Sequence, residues 1–402
     1  MTRHREDAQA NRGTGAAPRA DLATLIAGHV CLHATMAGSR MAAPLLALDQ
    51  GQSTAPVGIL VAFFALTQVF LSLPAGRYAD RHGLKRPVGL SVAVACAGAA
   101  LAAAWPVYWV LCLAALMCGG AIGAATIALQ RHIGRLARTP AELKLVFSWL
   151  SIAPAASNFV GPFVAGIMID QFGFRAAFAL LAALPLLAWM LMRRTRELPL
   201  EPTRAGPRPA VWDLLRDSAM RRLLLMNWFM NSSWDLHAFM VPVLGHERGL
   251  PASVIGGILG AFAISAALVR VAMPLFAERL REWVLITAAT GISGVLFALY
   301  PFAPSAAAMG VCAAALGLTL GTVQPMVMSM LHQMTPKHRH GEALALRLML
   351  VNLSSVGMPL MFGAVGGVLG AGGVFWAMGS VLGLGSTLGF GLRGRCEGAQ
   401  DP

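Results

Sequence analysis

The chain has 402 residues, of which 57% are hydrophobic and 12% are charged. Soluble domains carry about 25% charged residues, so this composition excludes an ordinary soluble domain and indicates a membrane protein. In a soluble chain the formal net charge of +13 would suggest nucleic-acid binding. Here, however, the basic residues fall in alternate loops between apolar segments. The sequence therefore predicts the lipid bilayer as a partner, and no nucleic acid.

Apolar runs long enough to cross a bilayer predict twelve transmembrane helices. In chain order they cover 22–47, 56–75, 86–104, 107–129, 145–168, 174–192, 221–243, 254–277, 283–302, 305–331, 343–367 and 371–392. Residues 1–20 are polar and contain no apolar signal-peptide core, so they predict a disordered cytoplasmic tail. Residues 393–402 are predicted as a second cytoplasmic tail.

Basic residues are concentrated in every second loop. They follow the second, fourth, sixth, eighth and tenth predicted helices, whereas the intervening loops contain only Arg175 and Arg248. Because loops rich in Lys and Arg stay in the cytoplasm, this alternation predicts a multi-pass protein of a bacterial-type inner membrane with both termini cytoplasmic.

The second half of the chain repeats the first. A shift of 198 residues aligns Gly58 with Gly256, and a one-residue adjustment aligns Pro162 with Pro359. Two homologous halves imply a pseudo-twofold axis along the membrane normal with a path between them, which suits alternating access. The predicted units are an N-terminal six-helix half at 21–192, an Arg- and Pro-rich cytoplasmic linker at 193–220 and a C-terminal six-helix half at 221–392.

The stretch GRYADRHGLKR, between predicted helices two and three, carries a motif. It resembles the loop of the major facilitator superfamily that is commonly written G-x-L-A-D-R-x-G-R-K, with Tyr78 and Leu84 as departures. The resemblance implies a transporter in which this loop latches the two halves in one access state. The alternative is that the charges only anchor helix ends, which leaves Asp80 and the paired glycines unexplained. The predicted latch residues are Gly76, Asp80, Arg81, Gly83 and Lys85.

The stretch GPFVAG in helix five resembles the G-P-x-x-G-G element of antiporters in the same superfamily, with Ala165 replacing one glycine. A proline removes one intrahelical hydrogen bond, and small neighbours permit bending and close contact. An ordinary packing kink is the alternative to an antiport function. In helix four, Leu116 stands where many proton-coupled relatives carry an arginine, which excludes coupling through that position. The predicted kink residues are Gly161, Pro162 and Gly166.

Polar side chains inside the apolar helices mark the candidate transport path, because at this depth they usually face a cavity or a partner helix. Arg270 is left out of the predicted site, since it could snorkel or pair with Glu278. The family resemblance implies that helices one, four, seven and ten line a central cavity. The candidate cavity and coupling residues are Arg40, Asp235, His33, Asn231, Trp234, Thr126 and Gln324.

Arg40 and Asp235 form the sharpest hypothesis. The 198-residue shift places Asp235 over Ala37, one helical turn from Arg40, so the two side chains could meet across the pseudo-twofold axis. We predict that this pair closes the outer side of the cavity and that Asp235 carries a proton. The alternatives are a static ion pair, or an outward-snorkelling Arg40 with Asp235 bonded to His33 or Asn231.

The sequence thus predicts a monomeric secondary active transporter that exports a small organic solute across the inner membrane by alternating access, coupled to protons. The alternative within this class is a facilitator or importer of a small metabolite. The alternative of another class is a polytopic membrane enzyme or a transporter-like receptor. No HExxH, GxSxG or phosphate-binding glycine loop is present, so neither enzymatic activity nor a cofactor is predicted. The six cysteines contain no CxxC pair, and no metal site is predicted.

Overall fold

The computed structural model describes residues 3–136, 140–199, 211–276, 282–335 and 340–390, and within them the secondary structure is helical. Short 3₁₀ helices occur at Val211–Arg216 and Tyr300–Phe302. The α-helices are α1 (Arg3–Asp49), α2 (Thr54–His82), α3 (Lys85–Ala104), α4 (Tyr108–Leu136), α5 (Pro140–Met192), α6 (Ser218–Glu247), α7 (Ala252–Phe276), α8 (Glu282–Leu299), α9 (Ala306–Met334) and α10 (His340–Phe390).

Helices α5 and α10 each consist of two arms that meet at a glycine. The backbone leaves helical angles at Gly173, with φ 80° and ψ 173°, and at Gly370, with φ 71° and ψ 172°. Glycine adopts a positive φ without a Cβ clash, so one residue is sufficient to reverse the chain between two predicted helices. The two glycines are 197 residues apart, which is the offset that aligns Pro162 with Pro359.

Nine helices in the described part of the chain are long and apolar enough to cross a membrane. The exception among the α-helices is α6, whose interior contains Asn227, Asn231, Asp235 and His237. The prediction of an all-helical membrane protein is confirmed. Counting both arms of α5 and α10 and including α6 gives twelve segments, and the membrane crossing of all twelve stays a prediction.

The start of α1 differs from the sequence prediction. A disordered tail was expected over residues 1–20, whereas α1 begins at Arg3 and its apolar, membrane-spanning part is Asp21–Asp49. Ala, Arg, Gln and Glu in the early part of α1 favour helix, and extending an existing helix avoids the cost of nucleation. The predicted tail at 393–402 lies outside the described residues.

The two halves of the chain pack their helices in the same pattern. In the first half α1 packs on α5, α2 on α4, and α3 on both α4 and α5. In the second half α6 packs on α10, α7 on α9, and α8 on both α9 and α10. Two seams join the halves, one between α2 and α10 and the other between α5 and α7. This matching of neighbours follows the internal repeat of the sequence.

The seams are tight at one end of the bundle, which we call the Thr54 end because α2 begins there; the opposite end, where α2 finishes, is the Asp80 end. A Cβ on Gly58 would collide with the carbonyl oxygen of Pro359, and a Cβ on Gly256 would lie 2.5 Å from the carbonyl oxygen of Pro162. Glycine therefore lets the backbones of the two halves touch.

The GPFVAG residues of α5 take part in close packing. A Cβ on Gly161 would lie 2.6 Å from the carbonyl oxygen of Ala34 in α1, and one on Gly166 would lie 2.5 Å from that of Ala252 in α7. The helix continues through Pro162, and its backbone departs from helical angles at Gly173. A bend at Pro162 stays a prediction.

Candidate functional site

Arg40 of α1 and Asp235 of α6 form an ion pair between the halves, with 3.8 Å from Nη2 to Oδ1. The second carboxylate oxygen of Asp235 accepts hydrogen bonds from Ser355 Oγ of α10 at 3.1 Å and from Asn231 Nδ2 at 3.3 Å. Of the two side chains, Asp235 is 6% exposed and Arg40 is 27% exposed. Neighbours within its own half therefore hold the carboxylate, whereas Arg40 reaches it from the other half.

The pair lies near mid-membrane depth. Counted from the Thr54 end at 1.5 Å per residue, Arg40 lies about 14 Å and Asp235 about 18 Å along their helices, within a hydrocarbon core about 30 Å thick. At this depth, removal of one member of a buried pair leaves the other charge uncompensated, which is strongly destabilising. The contact therefore ties the positions of α1 and α6 to each other.

A small cavity adjoins the ion pair between α1, α5, α6 and α7. Its volume is about 60 Å³, which is enough for a few water molecules but below the roughly 300–1,000 Å³ of small-molecule sites. An organic solute would therefore need the halves to move apart. Its polar and aromatic lining comprises Arg40, Asn158, Trp234, His237 and Phe262.

Trp234, His237 and Phe262 form an aromatic wall of the cavity. The Phe262 ring lies 4.5 Å from Trp234, edge-on at 72°, and 4.2 Å from His237, stacked at 19°. In the described part of the chain, neither ring nitrogen of the buried His237 has a hydrogen-bond partner. This wall thus offers flat apolar surface beside an unused polar group.

Arg270, which the sequence prediction left out of the site, contacts Trp234 of the cavity lining. Its guanidinium carbon lies 5.4 Å from the centre of the Trp234 ring, and Nη2 donates to Gln324 Oε1 at 3.3 Å. Gln324 is exposed. Glu278, the partner considered from the sequence, lies outside the described residues. The spacing of Arg270 eight residues after Phe262 places both on one face of α7, and this signal was available in the sequence.

Arg347 is a further buried cation that sequence reasoning did not single out. It is 7% exposed, and its Nε donates to Asn227 Oδ1 at 3.1 Å. It lies in the eleventh predicted span, at 343–367. In the structure it lies between α10 and α6, in the same half as Asp235.

His33 and Thr126 lie apart from the ion pair. Thr126 of α4 is hydrogen-bonded to His29 Nε2 at 3.2 Å, and the His29 ring meets His33 edge-on at 6.0 Å. Counted along α4, Thr126 lies about 27 Å from the Thr54 end. These residues form a second polar group between α1 and α4, so the structure divides the predicted cavity residues into two sets.

Asp80 of the predicted latch pairs with Arg131 of α4, with 2.5 Å between Oδ1 and Nε. Both residues belong to the first half, so this contact does not bridge the halves. In this structure Asp80 contacts its own half, and the latch between the halves stays a prediction. Of the other latch residues, Arg81 is exposed and Gly76 packs loosely near Ile127.

Glu197 fixes the turn that follows Asp80. Its Oε1 accepts hydrogen bonds from the backbone nitrogens of Leu84 at 2.8 Å and Lys85 at 3.2 Å, at the beginning of α3. A carboxylate is favourable at a helix N-terminus. Gly83 has φ 74°, and a Cβ there would collide with the Glu197 carboxylate. Glycine is thus required at position 83 for two reasons: the backbone has a positive φ, and a Cβ would collide with Glu197.

Asp170 makes a matching cap across a seam. Its Oδ1 accepts from the backbone nitrogen of Ala252 at 2.9 Å and its Oδ2 from that of Ser253 at 2.8 Å, at the start of α7. On the other seam, Thr54 Oγ1 donates to the carbonyl oxygen of Gly363 at 3.1 Å. One seam is therefore held by a carboxylate and the other by a neutral hydroxyl.

Two matching helical halves that meet around a polar cavity are the arrangement of a membrane transporter. The chain belongs to the Major Facilitator Superfamily, which matches it over residues 25–234 and 223–399. It is therefore a multi-pass membrane transporter and not an enzyme, and the sequence prediction of this superfamily is confirmed.

Individual relatives are distant. The multi-drug resistance efflux pump PmrA of Streptococcus pneumoniae is 25% identical over 327 residues, 78% of this chain and 80% of that protein. The inner membrane transport protein YajR of Escherichia coli is 32% identical over 136 residues, 34% of this chain. That match spans 29% of YajR, less than a third of its length.

Solved structures share the fold. The nucleoside transporter NupG has a TM-score of 0.75 at 12% identity, covering 94% of this chain and 99% of that one. A POT family transporter in complex with 5-aminolevulinic acid has a TM-score of 0.77 at 12% identity, covering 93% of this chain and 96% of that one. At such identities the likeness establishes the architecture alone.

Proposed function

We propose that this transporter exports small amphipathic organic solutes across a bacterial-type inner membrane by alternating access, coupled to protons through Asp235. The observation that carries the proposal is the ion pair between Asp235 and Arg40, because it joins the halves beside the cavity. The aromatic wall supports an organic solute.

The orientation follows from the basic loops at the Asp80 end, which favour the cytoplasmic side. The Thr54 end is then outside, and the tight seams and the ion pair close the outer side of the cavity. With the outer side closed, separation of the halves at the Asp80 end admits the solute from the cytoplasm. Separation of the halves at the Thr54 end releases it outside.

Proton coupling follows from the contacts of Asp235. While the outer side is closed, Asp235 is ionised, held by Arg40 and by hydrogen bonds from Asn231 and Ser355. When the halves separate at the Thr54 end, the carboxylate loses its cationic partner and takes up a proton from outside. Closure brings Arg40 back, and the proton leaves toward the cytoplasm. Solute leaves the cell in one step and a proton enters in the other.

The test is solute flux in proteoliposomes with an imposed pH gradient, using a broad panel of amphipathic compounds. The expected result is a flux that the gradient accelerates and that Asp235→Asn uncouples from the gradient. If the flux through the unmodified protein does not depend on the pH gradient, the protein is a facilitator. A properly folded protein that moves no compound of the panel in either direction would overturn the proposed export.

A further inference from the structure

We infer that the transported solute is an aromatic organic anion and that Arg270 receives its negative charge. This inference rests on the proposed transport function and names the substrate class of the same cavity. Four observations support it: the charge balance of the path, the direction of the Arg270 side chain, the aromatic wall, and the unpartnered His237.

The described path carries more positive than negative charge. Arg40, Arg270 and Arg347 lie at membrane depth, and Asp235 is the acid that the described helices place far from the ends of the membrane segments. Arg40 pairs with that acid, whereas among the residues that the structure describes the contacts of Arg270 and Arg347 are with neutral acceptors. A cation in a low-dielectric setting without a counter-charge is costly, so an anionic ligand is favoured there.

Arg270 extends toward the middle of the membrane. It lies about 27 Å from the Thr54 end along α7, whereas Trp234, whose ring it contacts, lies about 20 Å from that end along α6. An arginine that snorkels would extend the opposite way, to the polar surface at the Asp80 end. The side chain therefore lies between α6, α7 and α9, against Trp234, which lines the cavity.

The aromatic wall lies between the two arginines and suits a flat apolar body. Arg40 and Arg270 are about 13 Å apart in depth, and the Trp234, Phe262 and His237 rings occupy the interval. A solute with its charge at Arg270 would cover these rings with its apolar part. The buried ring nitrogens of His237 lack hydrogen-bond partners in the described region. They can therefore form a hydrogen bond with a polar atom of the solute.

An aromatic cation fits this arrangement poorly. The face of a tryptophan ring attracts cations, but Arg270 already occupies the face of Trp234. A cationic solute would meet like charge at that position, which disfavours binding. The same ring system with a negative charge would meet a favourable partner instead.

The experiment compares two probes of equal ring size, 2-naphthoate and 2-naphthylmethylammonium, binding to the full-length protein in lipid nanodiscs, by titration calorimetry. Naphthoate is expected to bind at least about tenfold more tightly, a difference of about 1.4 kcal/mol. Arg270→Gln is expected to abolish this preference, and Arg270→Lys to keep part of it. Arg175→Gln, at an exposed position near the Thr54 end, is the matched control and should change nothing.

Thermal unfolding of each variant establishes that it is folded. If Arg270→Gln does not fold, the inference is tested by comparing the two probes on the unmodified protein and on Arg270→Lys. Equal affinity for the two probes, or an unchanged preference in folded Arg270→Gln, would overturn the inference. Binding is measured here without transport, so the two proposals can fail separately. If the protein prefers the anionic probe but transports no solute, only the proposed export is contradicted.

Discussion

Gly58 and Gly256, 198 residues apart, occupy equivalent places in the two seams between the halves. Each leaves room for a proline carbonyl oxygen of the opposite half, from Pro359 and Pro162 respectively. The internal repeat is thus preserved at the level of single backbone contacts. Both contacts lie at the Thr54 end, so they belong to the state in which that end is closed.

Gly58→Ala and Gly256→Ala should each disfavour closure of the Thr54 end, because a Cβ would collide with backbone that can move only with its helix. The measurement is labelling of Asn158→Cys, a reporter in the cavity lining, by an impermeant maleimide from that side. Labelling should become several-fold faster than in the parent. Gly257→Ala is the control, since nothing lies within 4 Å of a Cβ there. Equal labelling in all three would contradict the role of the seams.

Arg40→Ala and Asp235→Ala should each reduce transport more than tenfold, because each leaves the other buried charge without its partner. The charge-swapped protein Arg40→Asp/Asp235→Arg should recover part of the flux if the contact is a gate. Ser355→Ala, which removes one hydrogen bond to Asp235, should cost only a few-fold. The measurement is flux in proteoliposomes. Normal transport by the single variants would contradict both the gate formed by Arg40 and Asp235 and the role of Asp235 as proton carrier.

Asp80→Asn should lower transport strongly while expression and thermal stability stay near the parent values. The change removes the close charge contact with Arg131 and with it any contact of Asp80 that forms in the other access state. Asp213→Asn is the matched control, because its ion pair with Arg216 is exposed and such pairs contribute little. Unchanged flux in Asp80→Asn would remove the basis for a latch at this loop.

Glu197→Ala should lower stability by about 1 kcal/mol, the usual contribution of a helix N-terminal cap. Gly83→Ala should cost more, since it adds a strained positive φ to a collision with Glu197. Gly51→Ala separates the two effects, because Gly51 has φ 80° in open space. Thermal unfolding in detergent provides the comparison, and equal losses for both glycines would mean that the Glu197 contact is unimportant.

The sequence predicted the helices well because length and apolarity are local properties. The gap predicted between the helices at 145–168 and 174–192, for example, contains Gly173, at which α5 changes direction. The repeat also predicted which residues correspond, including Gly58 with Gly256. Both kinds of information are read along the chain and need no knowledge of how neighbouring helices are rotated.

Contacts between helices were harder to predict, since an apolar run does not fix which face meets which neighbour. Asp170 and Glu197 cap helices that begin 82 and 112 residues away from them, and no local pattern indicates such partners. Ser355 was not singled out from the sequence, because its contact with Asp235 depends on how α10 packs against α6. Arg270 was left out of the predicted site because it could snorkel or pair with Glu278, whereas in the structure its side chain lies against Trp234.

The polarity of α6 has a consequence for how the protein is made. Insertion into the bilayer depends on the apolarity of each segment, and a charge at the centre of a helix costs about 2.5–3.5 kcal/mol during insertion. Asp235 imposes that cost on a helix already rich in polar residues, and the cation that compensates it, Arg40, is synthesised first, in α1. We expect α6 to be retained in the membrane by helices that are already inserted, so that a C-terminal half expressed alone would be poorly integrated and rapidly degraded, and co-expression of the N-terminal half would rescue it.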